Sequence, residues 1–486
     1  MKPLVIVAGL ALCGCAVGPD FQSPAAPDTQ TYTRDGLPQR AASANSTAAF
    51  AQTLRISDSA TPMWWRQFHS DALDRLVDEA LRQSPTLAQA RAKLIEARED
   101  YNAQAGSTQF PSVDATISAS RQKVDPAAFG VPNVNSPGPF SLFNASVSVS
   151  YVFDVFGANR RALEASFAQV DYESFELDAA RLSIGGNVVS AAIRRASLRQ
   201  QIELTQDLEH AQARQLTIVE ARFAAGGVAQ LDVHSQHTLL AQTRASLPPL
   251  TTQLAQTDHQ LAILLGATPS EADFSDITLD ALHLPNDLPV TLPSTLARER
   301  PDIRASEALL HQASANVGVA TANLYPQFSL SAGFGSQRTN IGDVINGLNI
   351  WNIGLNLTQP LFRGGALHAR KRAAQAAYEA ALAGYQQTVL QALQQVADSL
   401  TALRDDAHEL QARDDAWQHA QASVSVASRQ YAAGGISQTA LLDAQRQALQ
   451  TAIDRTRAQA DQFADSAALF QALGSGVPVT TQVGEQ

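Results

Sequence analysis

Cysteine is almost absent from this chain. Cys13 and Cys15 are the full set in 486 residues, so no disulfide framework can staple the bulk of the fold. Lysine is nearly as scarce: only Lys2, Lys93, Lys123 and Lys371 occur, and the formal net charge is −11. A basic face for nucleic acid is therefore not supported. Beyond the N-terminal stretch no run of about 18 apolar residues exists, which excludes a membrane-spanning helix from the remainder. Any further membrane contact must come from lipid or from β-strands. Aromatics are few, Ala and Gln abundant, and Gly and Pro collect in particular stretches, a pattern that predicts long helices with few breaks. Catalytic signatures are missing too: there is no Gly-x-Ser-x-Gly, His-Glu-x-x-His or phosphate loop. His234 with His237, and Glu307 with His311, share helix faces, but neither pair has a third ligand nearby. No enzyme activity, metal or cofactor is expected.

What is present begins at the N-terminus. Lys2 leads an apolar run from Leu4 to Leu12, and Leu12-Cys13-Gly14-Cys15 follows. Charged start, short apolar stretch and Leu-x-Gly-Cys together read as a bacterial lipoprotein signal peptide rather than a membrane span. Cleavage before Cys15 would remove Cys13 and leave Cys15 to carry lipid. Ala16, where an Asp would mark retention at the inner membrane, favours the outer membrane of a Gram-negative envelope.

The chain repeats itself with an offset near 208 residues. Arg222-Phe-Ala-Ala-Gly-Gly-Val-Ala-Gln230 recurs as Gln430-Tyr-Ala-Ala-Gly-Gly-Ile-Ser-Gln438, and Leu265-Gly266 recurs as Leu473-Gly474. Upstream, Ser84-Pro85 leads through an Ala-rich helix to Phe110-Pro111, as Arg300-Pro301 leads to Tyr325-Pro326. Each half reads as a helix, two strands, a long helix, a turn and a long helix.

The strands alternate. Ala145, Val147, Val149, Tyr151 and Phe153 interleave with Ser146, Ser148 and Ser150; Trp351, Ile353, Leu355 and Leu357 interleave with Asn352, Gly354 and Asn356. Strands are expected at about 111–121, 144–154, 327–336 and 351–360, with exposed hairpin loops near 125–142 and 337–350. Apolar outward and small-polar inward is what a membrane barrel requires. Four strands cannot close a barrel, and an open edge is not tolerated in lipid, so several chains must contribute. Two chains would give a filled eight-stranded barrel; three would give twelve strands and a lumen, which favours a trimer.

The helices from about Arg160 to Ala224 and from Leu367 to Ala433 lack proline. About 65 residues at 1.5 Å each span on the order of 100 Å. Leu403, Leu410, Trp417, Val424 and Tyr431 fall at sevens, which predicts coiled-coil packing.

These residues resemble the TolC-like outer-membrane efflux protein family, in its lipoprotein branch that serves resistance-nodulation-division pumps. The resemblance rests on Cys15-Ala-Val-Gly-Pro-Asp-Phe21, Trp64-Trp-Arg-Gln-Phe68 before Leu73-Asp-Arg-Leu76, Phe153-Asp-Val-Phe-Gly157, Pro360-Leu-Phe-Arg-Gly364 and the two Gly-Gly turns. It implies a mainly α fold with a membrane β-barrel: a homotrimer whose 12-stranded barrel lies in the outer membrane and continues as a periplasmic helical barrel. Its implied partners are outer-membrane lipid, a periplasmic adaptor (membrane fusion) protein and an inner-membrane pump of the RND type. The turns at 225–229 and 433–437 are then the adaptor-docking sites, with Arg222, Phe223, Gly226, Gly227, Val228, Tyr431, Gly434, Gly435 and Ile436 as the residues involved. The same glycines also suit simple helix capping. By the same resemblance Asp443 is the acidic residue that closes the periplasmic end of the pore, with Thr439 a turn earlier and Arg446 placed to pair with it. The alternative is an ordinary solvated helix charge.

The expected organisation is a leader over 1–14, a lipidated extended segment over 15–70, a first repeat over 71–270, a linker over 271–296, a second repeat over 297–476 and a tail over 477–486. The expected function is the passive outer-membrane exit of a tripartite efflux system. A channel for protein secretion and a poreless lipid-anchored coiled-coil scaffold are the alternatives.

Overall fold

The structure is a computed structural model that describes residues 16–34, 52–57, 61–124, 138–271, 274 and 277–475. The leader, Cys15, residues 125–137 of the first hairpin loop and the tail lie outside the described residues.

In chain order the elements are β1 (Thr53–Ser57), α1 (Asp71–Gln83), α2 (Pro85–Gln109), β2 (Ser112–Gln122) and β3 (Phe140–Phe153), then α3 (Ala158–Ala224) and α4 (Gln230–Leu264). After the linker come β4 (Asp287–Thr291), α5 (Pro293–Glu299), α6 (Pro301–Ala322), β5 (Gln327–Arg338), β6 (Ile350–Thr358), α7 (Ala366–Ala432) and α8 (Gln438–Ala472). The duplication is kept at the level of single residues. Helices α3 and α7 both have 67 residues and α4 and α8 both have 35, each pair offset by 208 positions.

Two compact units result. The first takes the N-terminal segment up to Pro24, Lys93–Ser174 and Ala305–Gln386. Its centre is an antiparallel sheet in the order β2-β3-β5-β6, with β2 and β6 as edges. The register sorts the side chains into two faces. On one, Ser112, Ser150, Ser331 and Gly354 share a row, and Asp114, Ser148, Gly333 and Asn352 share the next. This face holds a cavity of about 320 Å³ lined by residues such as Ser118, Asn144, Ser148 and Asn352. On the other face the rows are Val113-Val149-Ala332-Ile353, Ala115-Val147-Phe334-Trp351, Tyr151-Leu330-Leu355 and Phe153-Phe328-Leu357. That face is bare: Ile117 is 87% exposed, Trp351 79% and Ile353 68%. An exposed apolar face of this kind marks a surface that meets a partner chain or a membrane.

The N-terminal segment is seated on the same unit, and the seat explains two of the sequence motifs. Val17 donates its N–H to the Phe156 carbonyl at 3.1 Å. Gly18 has φ +108° and lies so close to Gly318 that an added Cβ would come within 2.5 Å of the Gly318 Cα. Asp20 pairs with Arg161 at 2.5 Å; Arg161, 7% exposed, also holds Glu164 at 2.7 Å. Glu164 reaches His311 at 2.9 Å, and Phe21 stacks on the His311 ring at 4.4 Å. Glu307 accepts a hydrogen bond from Ser23. The Glu307 and His311 side chains therefore hold this strap. Asp154 caps α3, accepting from the N–H groups of Asn159 at 3.0 Å and Arg160 at 2.7 Å.

The second unit takes Ala25–Ala92, Phe175–Arg304 and the chain from Gln387 onward. Its apolar centre is aromatic. Trp64 stacks on Phe470 with centroids 5.3 Å apart, Phe68 packs on Phe463 at 6.1 Å, and Trp64 and Phe68 are fully buried. The segment over 15–70, expected to be extended, contributes β1, which pairs in parallel with β4 from the linker. Five residues with a partner more than 200 positions away leave no local signal. In α7 the buried positions Val396, Leu400, Leu403, Ala407 and Leu410 follow three-four spacing, the coiled-coil pattern. The seam thins toward the turn: Trp417 and Val424 are half-buried and Tyr431 is exposed.

Candidate gate and docking turns at the helix hairpins

Both hairpin turns are built by the same hydrogen bonds. In the first, Gly226 donates to the Phe223 carbonyl and Gly227 to the Arg222 carbonyl, each at 2.8 Å. In the second, Gly434 donates to Tyr431 at 2.9 Å and Gly435 to Gln430 at 2.8 Å. This is the Schellman pattern, which satisfies the last carbonyls of a helix and needs a left-handed residue at one position. Gly226 (φ 78°) and Gly434 (φ 74°) supply it, a backbone state that costs an L-residue about 1–2 kcal/mol. Arg222, Phe223, Val228, Tyr431 and Ile436 are all exposed or half-buried around the turns, open to a partner. Tyr431 additionally ties the second turn to the next helix, donating its hydroxyl to Gln438 Oε1 at 3.0 Å.

The second turn leads into the candidate gate residues. Ser437 caps α8 by accepting from the Ala440 N–H at 3.2 Å, and its hydroxyl meets that of Thr439 at 2.6 Å. Asp443 lies on the second turn of the helix with its side chain 58% exposed. Arg446 approaches it, Nε to Oδ1 at 3.9 Å, a loose i,i+3 pair of small stabilising value. Thr439, Asp443 and Arg446 thus share the start of α8, with the carboxylate outermost.

The first hairpin has no counterpart of this acid. At the 208-residue offset Asp443 aligns with Ser235, Arg446 with Thr238 and Thr439 with Leu231. Asp232, the nearest carboxylate, is occupied in capping: it accepts from the Ala229 N–H at 3.1 Å. His237 faces Glu220 at 3.3 Å, and no cluster of three metal-binding side chains exists among the described residues.

Sequence reasoning missed the polar ties of α8. Asp414, buried in the α7 seam, binds Arg455 at 2.5 Å, and Arg455 lies over the Trp417 ring at 4.9 Å. Arg457 donates to Gln201 Oε1 on α3 at 2.7 Å. Nearby, Asp406 is pushed up to about 8 by burial, by a hydrogen bond with Asp465 and by the charges of Asp465, Asp461 and Glu409. Asp461 is raised as well, chiefly by burial and then by Asp465. Acids brought together from separate helices leave no motif, because their residues sit far apart in the chain.

A family model described as outer membrane efflux protein matches residues 76–267 and 292–475. The chain belongs to the outer membrane efflux protein family. Among its relatives, the pyoverdine export outer membrane protein OpmQ of Pseudomonas putida is 31% identical, over 85% of this chain and 88% of that one. The toluene efflux pump outer membrane protein TtgC of Pseudomonas putida is 29% identical, over 97% of this chain and 94% of that one. Among solved structures, the outer-membrane channel OprN superposes with a TM-score of 0.81 at 29% identity, covering 95% of this chain and 99% of that one. As a family member this protein acts in efflux at the outer membrane.

Proposed function

We propose that this efflux protein is the passive exit duct of a tripartite pump: a homotrimer that performs no chemistry and takes its energy from partners. The observation that carries this reading is the four-stranded sheet with two free edges and an uncovered apolar face. Pairing β6 of one chain with β2 of the next, three times around, removes every edge and gives twelve strands, with the Ser- and Asn-rich face as a wet lumen. Lipid on Cys15 adds an anchor, and the strap from Ala16 to Phe21 holds that end of the chain to the sheet unit. The two Schellman turns receive hairpins of a periplasmic adaptor, which connects the duct to an inner-membrane RND-type pump. The named activities of relatives, pyoverdine, toluene and antibiotic export, support small toxic or secreted compounds as cargo.

Three copies of Asp443 ring the entrance of the duct, each restrained by Arg446. The test is planar-bilayer conductance of the purified lipoprotein, wild type against Asp443→Ala. Low conductance that rises in the variant supports a duct held shut at Asp443. High conductance in both removes the gate and keeps the duct; no conductance from folded, inserted protein removes the duct.

A further inference from the structure

The four strands hold three charged residues among mostly apolar and small-polar ones: Asp114, Arg121 and Arg338. Asp114 is on the polar face. Both arginines are on the apolar face, and both stand at the hairpin-loop end of it. Row by row, the apolar face runs from Phe153-Phe328-Leu357 to Ile117-Ala145-Ser336; the next row is Ala119-Phe143-Arg338 and the one after is Arg121-Ser141. Lys123 follows two residues further on, just past the end of β2. From the Phe153 row to the Phe143 row is ten residues along β3, or about 33 Å at the rise of a strand. Tilted as barrel strands are, that corresponds to about 24 Å of membrane, the height of the apolar band of an outer-membrane barrel. The cations begin where the band stops.

Strands β2 and β5 flank β3, so Arg121 and Arg338 are separated by two strand spacings and one row, about 12 Å between Cα atoms. Two side chains of arginine length can close on one headgroup across that distance. Arg121 and Lys123 are exposed and Arg338 is half-buried. No carboxylate of the described residues is within ion-pair distance of the three. In the described part of the second hairpin loop, Asp343 is held by the side-chain amides of Asn340 at 3.4 Å and Asn346 at 3.2 Å. The opposite end of the apolar face, at Phe153, Phe328 and Leu357, has no basic strand residue.

Resting on the proposed orientation of the duct, with the hairpin loops outside, we infer that Arg121 and Arg338, extended by Lys123, form a site for the phosphates of an outer-leaflet glycolipid. The guanidinium fork matches phosphate oxygens in a bidentate geometry, and the flanking apolar rows receive the acyl chains. Such a site fixes the depth of the barrel and cements its outer rim to the leaflet.

The test titrates the full-length lipoprotein in detergent micelles with purified bis-phosphorylated lipid A and counts retained lipid by native mass spectrometry. Arg121→Gln with Arg338→Gln is expected to weaken retention by at least about tenfold, from about fivefold per membrane-facing cation. Arg121→Lys with Arg338→Lys, which keeps the charge but loses the fork, falls between wild type and the glutamine variant, and chemically dephosphorylated lipid A binds wild type no better than intact lipid A binds the glutamine variant. Equal retention by wild type and the glutamine variant overturns the site, as does full displacement of lipid A by inorganic phosphate at equal concentration. The bilayer conductance of the glutamine variant separates the two readings: a conducting protein that has lost lipid A keeps the duct, whereas a lipid-binding protein that never conducts loses the duct alone.

Discussion

In the first hairpin α3 and α4 run for 67 and 35 residues, and α7 and α8 repeat those lengths 208 positions later, with the same hydrogen bonds at the turn. What the two hairpins hold is different. Gln206 is exposed where the second hairpin buries Asp414, Pro248-Pro249 sit inside α4 where α8 has Thr456-Arg457, and Ser235 stands where α8 has Asp443. Duplication preserved everything the backbone needs to turn. It left side chains free to diverge wherever only packing or charge depended on them. Both hairpins tie their helices with ion pairs, Arg195–Asp258 and Arg244–Glu209 in the first and Asp414–Arg455 in the second, but only the second carries an acid at the position of Asp443.

The sharpest way to break this comparison is at the proposed gate. Asp443→Ala is expected to raise single-channel conductance several-fold, whereas Ser235→Ala at the matching position of α4 leaves it unchanged. A rise from the Ser235 variant would place the gate in both hairpins. Next in size, Asp414→Ala removes a buried partner of Arg455 and is expected to cost about 2–3 kcal/mol in denaturant unfolding. Gln206→Ala, its exposed counterpart, is expected to stay within about 0.5 kcal/mol.

The acidic contact between α7 and α8 gives a pH signature that the first hairpin lacks. Folded, Asp406 keeps its proton up to about pH 8; unfolded, it loses it near 3.8. Its stabilising effect is therefore complete below about pH 4 and is lost as pH rises through 8. Melting temperature should fall between pH 5 and pH 9, and Asp406→Asn should flatten that fall; an unchanged slope would locate the titration elsewhere. The smallest effect is a symmetry. Gly226→Ala and Gly434→Ala force alanine into φ values of 78° and 74°, and each is expected to cost about 1 kcal/mol, equal within error. A clear inequality would mean that one turn is strained by its surroundings.

Much of this was legible in the chain. The alternation Val113, Ala115, Ile117 lies on β2, and the Trp351–Leu357 alternation lies on β6, because a period of two is local and both faces of a membrane sheet have opposite needs. The Gly-Gly turns were readable because a left-handed backbone demands glycine in place. Asp443 was singled out by resemblance, and nothing in its periodicity distinguishes it from the other acids of α8. The strand β1, the Asp20–Arg161 seat and the Asp406–Asp465 contact left no trace, since each joins segments that meet only after folding.

By itself the sequence determined the elements and their two-fold repetition: where helices run uninterrupted, where they turn, and which strand residues share the apolar face. Periodicity and backbone sterics act within a few residues, so they are written in order along the chain. Tertiary structure alone decided the sheet order β2-β3-β5-β6, which pairs the two halves through β3 and β5, and with it the convergence of Arg121 and Arg338 on one side. It also decided which acids of the helices are buried against a partner and which stay in water. Those outcomes depend on neighbours brought together from distances of up to several hundred residues, and burial and charge pairing have no energy until the neighbours arrive.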